Sequence, residues 1–171
     1  KSKLKGSQRI PFPENFYTRR HEIRRPAGPT IWRPADDVLR DLEQPSHRYY
    51  SALSYLRRNP DGAAVELGVG APEVAGVMSR YAAHYTIVDV ADRRDGYPFG
   101  PNVGFIKGDL NDAFPLIDCA FDCTIAMMVI ERLFDPFHAF SQFPTIPPPG
   151  GKPIMNLPDL HPVPRQLQFG P

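Results

Sequence analysis

The stretch Ala64-Val-Glu-Leu-Gly-Val-Gly-Ala-Pro72 constrains this chain more than any other. An apolar run of strand length carries an acid, Glu66, and closes on two glycines, Gly68 and Gly70, before a helix-forming segment. A second strand-like run, Tyr85-Thr86-Ile87-Val88, follows and is capped by Asp89, nineteen residues beyond Gly70. Strand, glycine turn, helix, strand and acid is the order in which α/β folds cradle an adenosine-containing cofactor. The glycines matter because a Cβ there would collide with a ligand lying against the backbone.

The rest of the chain repeats this alternation. Short apolar runs recur at 63–67, 85–90, 103–107, 121–126 and 152–157. Each is the length of a strand, and their lack of strict alternation predicts strands buried on both faces of a parallel sheet. Between the first two, residues 73–83 predict a helix with Val74, Val77, Met78 and Tyr81 on one side. Residues 136–143 predict another, with Phe137 and Phe140 facing a core. Upstream, 35–58 reads as two helical stretches divided by Pro45, with Ser46 as N-cap of the second and Tyr49, Leu53 and Leu56 on one face. The fold class is α/β: a Rossmann-like three-layer sandwich with a mostly parallel sheet of about five strands. Two connections are weak: 91–102 is barely long enough for a parallel crossover and poor in helix formers, and Pro144 with Pro147-Pro148-Pro149 ends the later helix early.

Residues 1–34 differ in character, being rich in Pro and Arg, and read as an extended arm preceding a domain at 35–171 whose core is 46–158. Residues 1–58 hold thirteen Lys/Arg against six Asp/Glu, whereas the remainder is acidic, for a net charge of +1. Such asymmetry fits a solvated basic tail on an acidic body, and no aromatic-interleaved nucleic-acid motif accompanies it. No run approaches the roughly 18 apolar residues of a membrane span. The two cysteines, Cys119 and Cys123, are too far apart along an extended strand to bridge, and the five histidines show no metal-ligand spacing. A reduced, cytoplasmic chain without structural metal is expected.

Taken in order, these segments resemble the class I S-adenosylmethionine-dependent methyltransferases over residues 46–165. Glu66-Leu-Gly68-Val-Gly70 resembles the family's first motif and Asp89 the acid ending its second strand. Gly108-Asp109-Leu110 resembles the motif after the third strand; Phe121-Asp122 with Ala126–Leu133 resembles the fourth. Pro149-Gly150-Gly151-Lys152 resembles the turn into strand five, and Asn156-Leu157-Pro158 its end. The resemblance implies S-adenosyl-L-methionine as cofactor. It implies that Asp89 holds the ribose hydroxyls and Asp109 the adenine amine, with Leu110 beside the ring. It also implies Met127 on the adenosine, and Glu66 and Arg48 near the methionine end. Asp122 is expected to stabilise the strand turn. No side chain announces itself as a general base; His138 and His161 have the right chemistry.

Three departures from the family pattern stand out. Pro72 replaces a motif-one glycine, which suits a helix first turn but adds a ring near the cofactor. Arg132 stands where many relatives carry His. The family sheet has seven strands, of which this chain supplies five, so strand five is expected at an edge that a second copy could cover. The reading that follows is methyl transfer to a small-molecule acceptor. Alternatives are a degenerate binding or subunit domain without catalysis, and an RNA methyltransferase using Arg19, Arg20, Arg24 and Arg25. A nicotinamide oxidoreductase fits worst, because the third glycine of its fingerprint is Glu73.

Overall fold

A computed structural model describes residues 31–92, 96–112, 121–137 and 152–156. The chain divides into Lys1–Ile31 and Trp32–Pro171, and the second unit holds every element below. The arm over residues 1–30, Cys119, His138, His161, the Pro149–Gly151 turn and most of the 136–143 helix lie outside the described residues.

The elements in order are α1 (Ala35–Leu42), α2 (Tyr50–Arg58), β1 (Ala63–Leu67), α3 (Pro72–Met78), β2 (His84–Asp89), β3 (Val103–Lys107), β4 (Cys123–Met127) and β5 (Lys152–Asn156). A single 3-10 turn, Ser79–Tyr81, extends α3, and another, Ile130–Arg132, follows β4. The five strands form one sheet in the order β3-β2-β1-β4-β5, and every pairing is parallel. This is a Rossmann-like α/β fold, with the chain reversing its direction of travel across the sheet between β1 and β4.

Alternation along the central strands divides the core. Ala64 of β1, Tyr85 and Ile87 of β2, and Cys123, Ile125 and Met127 of β4 face α1, α2 and α3. Val65, Leu67, Val88 and Ala126 face the other way, onto Leu110, Phe121 and Ile130. The helices present matching stripes: Val38 and Leu42 from α1, Ala52, Leu53 and Leu56 from α2, Ala75, Val77 and Met78 from α3. Each fully buried Leu, Val or Met contributes roughly 1.5–3 kcal/mol of transfer free energy. Asp36 and Asp37 in the first turn of α1, and Arg57 and Arg58 in the last turn of α2, complement the helix dipoles.

Four sequence expectations are corrected here. The second helix does not start from Ser46: His47 Nδ1 accepts the Tyr49 N–H, the chain turns, and α2 begins at Tyr50. Arg48 therefore lies in that turn. β4 begins at Cys123 and not at Phe121; just before it, Asp122 donates its N–H to the Ala63 carbonyl and accepts the Ala63 N–H on its carboxylate, both at 2.8 Å. Phe137, expected in the core, is 84% exposed.

The crossover between β2 and β3 is closed by aromatic packing. Tyr97 lies edge-on to Trp32 and against Phe99, with ring centroids 5.4 and 4.9 Å away, and Trp32 Nε1 donates to the Gly96 carbonyl. Tyr97 rests on the backbone of α3 at Gly76, where a Cβ would stand 2.6 Å from its hydroxyl. A helical glycine makes room for the loop. No helix among the described residues is long and apolar enough to cross a membrane.

At the β5 edge, Lys152 N–H donates to Asp122 and the Asn156 carbonyl accepts from Met128, so these residues turn their backbone toward β4. Pro153, one residue out of phase, turns its backbone outward, where its missing N–H leaves no ladder donor. That arrangement disfavours an added strand at this position.

Candidate active site

In an open parallel sheet the carboxyl ends of the strands beside the point of reversal form the binding crevice. Backbone hydrogen bonds carry the ladder one residue past the strands along that edge. Gly68 N–H reaches the Val88 carbonyl at 2.8 Å, Gly108 N–H the Asp89 carbonyl at 3.0 Å, and Met128 N–H the Asn156 carbonyl at 3.0 Å. The glycine turn, Asp89, Gly108–Asp109 and Met127–Met128 are thereby held on one rim.

The two glycines of the turn have different reasons. Gly68 has φ +72°, and a Cβ on it would stand 2.6 Å from Val129 Cγ2. It is required by the fold itself. Around Gly70 nothing among the described residues lies within 4 Å of a Cβ, and its φ is not left-handed. Neither the backbone conformation nor the described neighbours require glycine there. Pro72 occupies the first turn of α3 and is buried.

Glu66 is 0% exposed, on the face of β1 covered by the helices. The Tyr49 hydroxyl donates to its Oε1 at 2.6 Å and the Tyr85 hydroxyl to its Oε2 at 2.8 Å. Burial pushes its carboxyl up to about 7, although the two tyrosines pull it down; Asp89 raises it further and Arg48 opposes that. Both tyrosine hydroxyls are held well above their ordinary range, chiefly by burial and then by the Glu66 charge. Arg48 is exposed, its guanidinium 5.8 Å from the centre of the Tyr49 ring.

Asp89 ends β2 and accepts the Ala91 N–H on Oδ1 at 2.9 Å. Asp109 accepts two hydrogen bonds on Oδ1, from the Asn111 backbone at 2.9 Å and the Asn111 side chain at 2.8 Å. Leu110, 5% exposed, is committed to the core of the second face, and Met127, 6% exposed, to that of the first. Asp122 lies at the opposite edge of the sheet, bonded to Ala63. Cys123 is a buried free thiol, pushed up to about 12 by burial.

Two rim residues escape sequence reasoning. Met128 has φ +57°, a strained conformation for an unbranched L-residue, where the chain leaves β4. No glycine signals it. Asn111 bridges two loops far apart in sequence, and only its Asp-x-Asn turn spacing hints at it.

The sequence matches no family model and no curated protein. Three solved structures similar to it are S-adenosylmethionine-dependent or otherwise named methyltransferases. One from Aquifex aeolicus is 16% identical, with 64% of this chain and 65% of that one covered and a TM-score of 0.42. One from Mesorhizobium loti is 15% identical, with 57% and 47% covered and a TM-score of 0.41. MycE of the mycinamycin biosynthetic pathway, in complex with magnesium and S-adenosylhomocysteine, is 20% identical, with 77% and 36% covered and a TM-score of 0.47. The chain thus spans less than two thirds of the length of each. At these identities the likeness is one of architecture, the Rossmann-like α/β fold that the sheet order establishes by itself.

Proposed function

We propose that this chain binds S-adenosylmethionine at the carboxyl edge of its sheet and transfers the methyl group to a small-molecule acceptor. The observation that carries the reading is Gly70: a glycine that no steric neighbour among the described residues and no left-handed φ requires, on the rim between β1 and α3. A cradle that a Cβ would fill fits a ligand passing close to the backbone.

The donor set fits the same group. Asp89 would hold the ribose hydroxyls, since a carboxylate accepts from both members of a diol. Asp109 Oδ2 carries no hydrogen bond among the described residues and would accept the adenine amine. Gly68 and Gly70 would flank the amino-acid end, and Arg48 would neutralise its carboxylate. The bound cofactor supplies an activated methyl on a sulfonium. The chain's share is alignment, which alone accounts for much of the rate of such a displacement.

Isothermal titration of the chain with S-adenosylmethionine tests the reading, followed by methyl transfer to a panel of small nucleophiles. Saturable heat with micromolar affinity and methylated product support it. Heat without product supports a binding domain without catalysis, and absence of heat at millimolar ligand overturns cofactor binding.

A further inference from the structure

We propose that Asn111 is the positioning residue that orients the Asp109 carboxylate to accept from an adenine amine, by strutting the loop after β3 against the loop after β4. The inference rests on the cofactor reading above and adds a residue to it.

The geometry is specific to an amide. Asn111 directs its backbone N–H and its Nδ2 to one and the same atom, Asp109 Oδ1, at 2.9 and 2.8 Å. Its Oδ1 accepts the Phe134 N–H at 2.8 Å, twenty-three residues along the chain. A side chain at 111 must therefore donate on one side and accept on the other, which asparagine does and neither aspartate nor an apolar residue can. Gly108, just upstream, is held to Asp89 by its N–H, so the strut joins three strand ends in series: β2, β3 and the turn after β4.

The consequence is selectivity. With both donors on Oδ1, the Asp109 carboxylate cannot rotate without breaking two hydrogen bonds. Its Oδ2, an acceptor in any orientation, is thereby held in one place. An adenine presents a 6-amino donor to such an atom, whereas hypoxanthine presents a 6-oxo acceptor, and an unpaired or repelled polar pair rejects a ligand strongly. Without the side chain's two bonds the carboxylate keeps only the backbone N–H of residue 111 and the loop after β3 is untied from the turn after β4, so discrimination falls more than folding does.

The test is titration of the full chain with S-adenosylhomocysteine and with S-inosylhomocysteine, its hypoxanthine counterpart, for wild type, N111A and N111D, alongside thermal unfolding. N111D keeps the acceptor for Phe134 and sets a carboxylate against Asp109, so it isolates the Asp109 end. The expected result is a wild type preferring the adenine ligand by about tenfold or more, with both variants losing most of that ratio. The ratio is the readout, because loss of loop order alone weakens both ligands alike. Variants that weaken both ligands with an unchanged ratio, or that bind as wild type does, overturn the strut while leaving the cofactor reading intact. A wild type that binds neither ligand overturns both.

Discussion

The Tyr49 hydroxyl, from the turn that leads into α2, donates a 2.6 Å hydrogen bond to the buried carboxylate of Glu66 in β1. Tyr85 completes the arrangement from β2 at 2.8 Å, so an acid at the start of the glycine turn is gripped from two other elements. Burial dominates the balance, and its carboxyl is pushed up to about 7 from 4.5. The folded state therefore binds a proton more readily than the unfolded one. Stability from this group is fully present below about pH 4.5 and declines as pH rises through about 7. The difference amounts to roughly 3 kcal/mol at most. Glu66→Gln removes that titration and imitates the protonated form. Urea unfolding from pH 4.5 to 8 is expected to show a variant close to wild type at the acid end and progressively more stable relative to it toward pH 8.

Gly68 and Gly70 separate folding from binding. Gly68→Ala meets both a left-handed φ and Val129, and is expected to cost about 2–4 kcal/mol of stability by denaturant unfolding. Gly70→Ala meets nothing among the described residues and is expected to change stability by less than about 0.5 kcal/mol. Its affinity for S-adenosylhomocysteine, measured calorimetrically, is expected to fall about tenfold or more if a ligand lies against that backbone.

Gly76 offers a reversal of sign. In a helix, Gly→Ala is ordinarily favourable by about 1 kcal/mol. Here the new methyl would strike the Tyr97 ring, so Gly76→Ala is expected to destabilise the protein by about 1–2 kcal/mol. In a Tyr97→Ala background the same substitution is expected to stabilise it, a coupling that a double-mutant cycle by thermal unfolding reads directly.

Asp122 serves the edge of the sheet opposite the crevice. Asp122→Ala leaves the Ala63 N–H without its acceptor and is expected to cost about 1–2 kcal/mol. Cofactor affinity is expected to stay within about twofold of wild type at a temperature where both are folded.

The strands were legible because their signal is local: each apolar run appears as a strand displaced by no more than two residues. The parallel sheet and the glycine turn followed from the same pattern. What the sequence concealed depends on contacts between distant residues. Tyr49 reads as one more apolar helix position until Glu66, seventeen residues on, takes its hydroxyl. Ser46 has the composition of an N-cap, but the His47 ring captured the local N–H first. Asn111 and Phe134 meet only because β3 and β4 end on one rim. Gly76 did carry a signal, since a glycine inside a helical pattern marks a close approach; only the partner was missing.

The measurement closest to the central claim is a map of backbone amide shifts as S-adenosylhomocysteine is added to the 15N-labelled chain. A site on the carboxyl rim predicts saturable shifts at Gly68–Gly70, Asp89–Val90 and Gly108–Asn111, with Ala63 and Asp122 unmoved at the opposite edge. A spectrum unchanged at millimolar ligand, or shifts confined to that opposite edge, would contradict it.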